Sequence, residues 1–173
     1  MFNRIMLTGL AAALALIASA CQLDVERNAD GSLQIEAIVA EADIAEEIAL
    51  GISDDPEAES VTVDLKDGYA LVEMVGKNDF GTRTETVSFR LELFVVDAHL
   101  GAEVSDAVWN DIEIPSEMVE MWNEELAWEL EQSAKDDPDS TLAGVSITED
   151  QLRFEFRVET PRSKGERSRS GTG

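Results

Sequence analysis

The sequence predicts an α+β fold: a mainly antiparallel, curved sheet of about six to eight strands with two helices packed on one face. Three observations lead there. Apolar and polar residues alternate over several stretches, as they do in a sheet with one buried face and one wet face. Pairs such as Asp67-Gly68 and Asn110-Asp111 fall between those stretches, where a chain must turn tightly to make a hairpin. Two other stretches change to helical spacing.

Each element follows from its residues. Residues 23–39 read as a hairpin: Leu23 and Val25 alternate with polar neighbours, Asp30-Gly31 turns, and Leu33, Ile35, Ala37 and Val39 share a face. The alternative is that 21–31 is a tether and only 33–39 pairs. Over 41–52, Ile44, Ile48 and Ile52 recur every fourth residue. Glu41, Asp43, Glu46 and Glu47 crowd the first turns, where the helix dipole favours negative charge. After a loop at 54–60, residues 61–75 make a second hairpin: Val61, Val63 and Leu65, the turn, then Tyr69, Leu71, Val72, Met74 and Val75. A loop at 76–82 precedes a long strand over 83–96. In it Val87, Phe89, Leu91, Leu93 and Val95 face one way, and Ser88, Arg90, Glu92 and Phe94 the other. The pattern resumes from His99 to Trp109, then turns into Ile112-Glu113-Ile114-Pro115.

The second helix spans 116–133. Ser116 suits its N-cap, and Glu117 and Glu120 occupy its first turns. Val119, Trp122, Leu126 and Leu130 form its apolar stripe, widened by Met118, Met121, Ala127 and Trp128. Strands over 142–148 and 151–160 close the domain. In the last, Leu152, Phe154, Phe156 and Val158 alternate with Arg153, Glu155, Arg157 and Glu159, and Pro161 ends it.

The amino terminus has a different logic. Arg4 gives a positive start, no charge occurs from Ile5 to Ala20, and Ala18, Ser19 and Ala20 precede Cys21. A charged start, an apolar middle and small residues before a cleavage point describe a secretory signal. The uncharged run has 16 residues, short of the ~20 that a spanning helix needs. With Cys21 placed directly after the small residues, this stretch resembles the lipobox of bacterial lipoproteins, although Ala18 stands where that family usually has Leu. The resemblance implies cleavage after Ala20 and lipid on Cys21. It also implies an exported protein, anchored in the cell envelope; Gln22, not being Asp, carries no inner-membrane retention signal, which implies the outer membrane if the cell has one. One acyl chain holds a protein only marginally, so stable anchoring takes two or more.

The expected organisation is a signal peptide over 1–20, a lipidated cysteine with tether or first strand over 21–32, an acidic domain over 33–161, and a basic disordered tail over 162–173. Charge limits the partners. From Cys21 onward there are 12 basic and 37 acidic residues, a net of −25. The tail holds four basic residues and one acid, which leaves residues 21–161 at −28. Such a body repels nucleic acid, so no nucleic-acid partner is expected. Cys21 is the single cysteine, so no disulfide forms within the chain.

No catalytic constellation is visible, and neither an enzyme nor a cofactor is expected. A Ser-His-Asp relay would need His99, the one histidine, which lies in a strand pattern without a nucleophile motif. One histidine cannot anchor a zinc site. The acidic groups Asp54, Asp55, Glu57 and Asp136, Asp137, Asp139 lack the calcium-loop spacing.

The informative side chains are apolar. Met118, Met121, Trp122, Leu126 and Trp128 on the second helix, with Trp109 before it, make a surface wider than a single sheet contact needs. They are the candidate lining of a groove for a lipid or other hydrophobic ligand. The order Glu-Ala-Asp-Ile at a helix start, the Asp67-Gly68 hairpin, a long strand, Ile114-Pro115 before Trp122-Asn123, then Val145-Ser146-Ile147 and a closing strand is similar to exported domains related to the tubular lipid-binding (TULIP-like) proteins. That resemblance implies a bent sheet wrapped around a helix whose apolar residues face lipid. The alternative is a structural or protein-interaction lipoprotein without a small-molecule ligand. The oligomeric state is left open.

Overall fold

The computed structural model describes residues 22–52, 58–77, 83–135 and 141–158. Cys21, the tail 162–173, and residues 53–57, 78–82 and 136–140 of the expected loops lie outside the described residues.

The domain is α+β, with nine strands, all paired antiparallel, and two helices among the described residues. In chain order these are β1 (Gln22–Arg27), β2 (Leu33–Ala40), α1 (Glu41–Ile52), β3 (Ala58–Lys66), β4 (Tyr69–Lys77), β5 (Thr84–Val96), β6 (His99–Trp109), β7 (Ile112–Glu113), α2 (Ser116–Lys135), β8 (Thr141–Ile147) and β9 (Gln151–Val158). Both helices and every hairpin fall where the spacing predicts. The strands divide between two sheets, where the sequence suggests one. The first has the order β1-β2-β9-β8, and the second runs β3-β4-β5-β6-β7. Each helix interrupts the succession of hairpins, so β2 finds its second neighbour at the far end of the chain. Leu33 lies opposite Val158, Ile35 opposite Phe156, and Ala37 opposite Phe154.

Residues 22–27 are strand, not tether. Gln22 is already paired with Ile38 and Arg27 with Leu33. The turn between β1 and β2 is fastened at several points. Gly31 takes a positive φ of 90°, which its missing side chain allows at no steric cost. Asn28 N donates to Ser32 O at 2.9 Å, and Ser32 N donates to Asp30 Oδ1 at 2.9 Å. At the 97–98 and 110–111 turns both central residues have positive φ, the geometry that matches the strand twist in two-residue hairpins.

A bulge corrects the pattern of β6. Arg90 pairs with Ser105 and Ser88 with Val108, so Asp106 and Ala107 together oppose Phe89. Asp106 adopts a φ of 51°. The extra residue shifts the alternation: Ala102 and Val104 face the core before it, Ala107 after it, and Asp106 stays exposed. On β4 the inward set is Ala70, Val72, Met74 and Gly76. Leu71, between Ala70 and Val72, points outward.

The core joins both sheets and both helices. It includes Val39, Ile44, Leu65, Val72, Phe89, Val104, Leu126, Leu152 and Phe154. Two main-chain bonds seat β8 against the second sheet: Leu142 N donates to Ala98 O at 2.9 Å, and Gly68 N donates to Ile147 O at 3.0 Å.

Helix side chains cover backbone groups of the second sheet. Glu41, the first residue of α1, accepts a hydrogen bond from Leu65 N at 2.8 Å on the outermost strand β3. From α2, Asn123 Oδ1 accepts from Val104 N at 2.7 Å, and Asn123 Nδ2 donates to Val104 O at 3.0 Å. The amide thus gives Val104 the two bonds that a neighbouring strand would supply. Replacing Asn123 with Ala leaves both groups unpaired beneath the helix and should cost ~1–3 kcal/mol. Urea unfolding of N123A against wild type checks this, and a change within experimental error would rule out the clamp.

Candidate functional site

The residues expected to line a hydrophobic groove divide between interior and surface. α2 packs across β6, and its stripe points inward. Trp122 is 4% exposed, Leu126 is fully enclosed, and Leu130 is buried beside them. Met118 and Val119 lie at the margin of this core, half-buried and packed against it. Met121 and Trp128, seven residues apart on one face of α2, are both more than half exposed. Trp109 stands at the end of β6, partly exposed and paired across the hairpin with Ile112. The six side chains therefore do not meet in one place. Trp122 and Leu126 belong to the core, Met118 to its edge, and Met121, Trp128 and Trp109 to the outside.

The helical spacing explains this division. Trp122, Leu126 and Leu130 repeat every fourth residue, whereas Met121 and Trp128 fall well away from that line. Glu117 and Glu124 share their side of the helix, and both are exposed. Trp122 Nε1 is buried with no hydrogen-bond partner among the described residues, so packing alone holds that ring.

Polar chemistry is sparse. His99 is exposed at the start of β6. No group of three or more His, Cys, Asp or Glu among the described residues is placed to hold a metal ion. The acidic groups at 54–57 and 136–139 lie outside the described residues. Arg90 is held in place by structure: its guanidinium sits 4.0 Å from the centre of the Tyr69 ring and reaches Glu92 at 2.7 Å. No helix among the described residues is long and apolar enough to cross a membrane.

A second surface feature was not singled out in the sequence. The inward face of the first sheet is covered at one end only. Along β2, Val39 and Ala37 are buried, while Ile35 and Leu33 are half-buried. Along β9, Leu152 and Phe154 are buried, while Phe156 and Val158 are half-buried. On the outermost strand β1, Leu23 and Val25 belong to the same face and are 63% and 53% exposed. The alternation in β1 was the available signal. It identifies the apolar face but not how far the rest of the domain reaches across it.

The turn that carries β1 is set by charge as well as by shape. Ser32, itself buried, donates its hydroxyl to Asp30 Oδ1 at 2.6 Å, and Asn28 Nδ2 donates to Ser32 Oγ at 3.0 Å. Arg157 on β9 reaches Asp30 Oδ2 at 2.7 Å. This ties the turn to the last strand.

No protein-family model, no curated protein and no solved structure matches this chain.

The Asp30 carboxyl is held below the ordinary aspartate value of 3.8, first by the Ser32 hydroxyl, then by the Ser32 N–H, with the Arg157 charge adding to them. A carboxyl depressed by folding contributes stability above its unfolded pKa, and that contribution is lost as pH falls through the folded value. The contribution of Asp30 is therefore complete above about pH 4 and disappears at lower pH. An NMR titration of the Asp30 side chain should give a midpoint below 3.8 in wild type and one nearer 3.8 in Ser32→Ala. Identical midpoints would remove Ser32 as the cause.

Proposed function

We propose that this chain is an exported lipoprotein, held to a bacterial membrane by lipid on Cys21, whose acidic domain is a noncatalytic interaction module at the membrane surface. The observation that carries this reading is the junction at the amino terminus. A lipobox-like segment ends at Cys21, and paired strand begins at Gln22. The anchoring residue and the folded domain would then adjoin with no linker between them.

Between a hydrophobic-ligand role and a protein-interaction role, the burial of α2 favours the second. Trp122, Leu126 and Leu130 are spent on the core, leaving Met121 and Trp128 as separate exposed contacts among glutamates. An acidic surface with exposed aromatic and thioether side chains suits a basic protein partner. The hydrophobic-ligand reading, with the TULIP-like resemblance, retains the half-buried Met118 and exposed Trp109 as its support.

Radiolabelled palmitate should enter the wild-type protein in bacteria. Cys21→Ala should take up none and should leave the membrane fraction. Equal membrane retention of both forms would overturn the anchoring. Native mass spectrometry of the membrane-extracted protein then separates the two roles: a retained lipid beyond the covalent anchor supports the ligand reading, and a protein adduct supports the interaction module.

A further inference from the structure

The exposed apolar residues of β1, Leu23 and Val25, lie beside the proposed anchor, and the half-covered positions Ile35, Leu33, Phe156 and Val158 continue their face toward the Arg27 end of the strand. Two residues span at most ~7 Å of extended chain and four at most ~14 Å. Leu23 is therefore within one headgroup's dimension of Cys21, and Val25 is only one strand repeat further. Because β1 is paired from Gln22 onward, no slack chain lets the domain move away from its attachment point. The turn network through Asn28, Asp30, Ser32 and Arg157 fixes the other end of β1.

Strand parity separates the chemistry of the two faces. Leu23 and Val25 lie opposite Ala37 and Ile35, which in turn lie opposite Phe154 and Phe156. Asp24 and Glu26 lie on the other face, in line with Glu36, Glu155, Gln34 and Arg157. The domain is strongly acidic, so most of its surface is repelled by anionic headgroups. The strip of Leu23 and Val25, continued by Ile35, Leu33, Phe156 and Val158, has no acid on its face among these paired positions; its charged member is the basic Arg27, opposite Leu33 at the far end, and Leu23 and Val25 are the residues next to where the acyl chains would enter the bilayer.

We infer that this strip rests on the membrane that holds the anchor, with Leu23 and Val25 at the boundary between headgroups and acyl chains, so that the domain is oriented on the bilayer as well as tethered to it. The inference rests on the lipid-anchor reading above. Side chains of this kind reach ~5–10 Å below the headgroup surface when an amphipathic element lies in the interface. The acids on the opposite face of β1 then point away from the lipid.

The test uses the full lipidated protein, purified from bacterial membranes and reconstituted into phosphatidylcholine vesicles containing doxyl-labelled lipid. Lipidation consumes the Cys21 thiol, so Val25→Cys, Leu23→Cys and Asp24→Cys each carry one free thiol for the environment-sensitive fluorophore NBD. All three positions are exposed, and melting curves of the labelled proteins check that the fold is kept. Probes at 23 and 25 should be blue-shifted and quenched severalfold more than the probe at 24, although all three are close to the anchor. Equal quenching at 24 and 25, or no quenching at either, would overturn the inference. A probe at 25 that is shielded yet unquenched would also overturn it, since a second copy paired along the β1 edge then occupies the strip. Mass spectra of the same samples distinguish the underlying failure. Protein without acyl mass removes the anchor and the contact together, whereas acylated protein with an unquenched probe at 25 removes the contact alone.

Discussion

The pairing of β2 with β9 is the constraint on which the remaining architecture depends. It joins residues near the start of the domain to residues near its end, with Leu33 opposite Val158 and Ala40 opposite Gln151. Closing a loop of that length costs conformational entropy that local turns do not repay. The return comes from what the ladder aligns. Val39 and Ala37 meet Leu152 and Phe154 in the core, Arg153 meets Glu36 at 3.1 Å, and Arg157 reaches the β1–β2 turn through Asp30. Without this ladder β1 would be half of an isolated hairpin, which is marginal in water. With it, β1 is the outer member of a four-stranded sheet.

The two helices solve a problem that the sheets create. Strand edges left without a neighbour, all along β3 and over the part of β6 that the two-residue β7 does not reach, present N–H and C=O groups that either pair with another chain or must be satisfied locally. Glu41 satisfies Leu65 on β3, and the Asn123 amide satisfies Val104 on β6. Each polar side chain is placed by a helix whose apolar residues, Ile44 on α1 and Trp122 with Leu126 on α2, are buried in the core. Packing and hydrogen bonding thus act through the same elements. On the first sheet, β1 is an outer strand whose apolar residues remain exposed.

Much of this fold was legible in the sequence, for identifiable reasons. Alternation such as Val87, Phe89, Leu91 fixes a strand and its buried face, and Asp67-Gly68 or Asn110-Asp111 fixes where a hairpin turns. The limits of α1 follow from Ile44, Ile48 and Ile52. Strand partnership was not legible. Alternation states that a face is buried and leaves its neighbour unspecified, so the division into two sheets required the β2–β9 register. The bulge at Asp106 carries no glycine to announce it, and Leu71 is more hydrophobic than Ala70 although Ala70 is the residue that faces inward. On α2 the apolar residues were correctly placed on a helix. Their count could not show that Met121 and Trp128 lie beyond the reach of β6. The strip of exposed β1 and half-buried β2 and β9 residues was hidden for the same reason: the sequence supplies an apolar face, and tertiary packing decides how much of it is covered.

A domain held directly against its proposed anchor requires that Gln22–Arg27 be strand, paired to β2 in a sheet closed by β9. Cross-strand backbone NOEs in the isotopically labelled protein measure this directly. Contacts should link Val25 to Ile35 and Ile35 to Phe156, following the observed register. Random-coil shifts across residues 22–27 with no contact to β2, or β2 paired to β3 in place of β9, would contradict this arrangement.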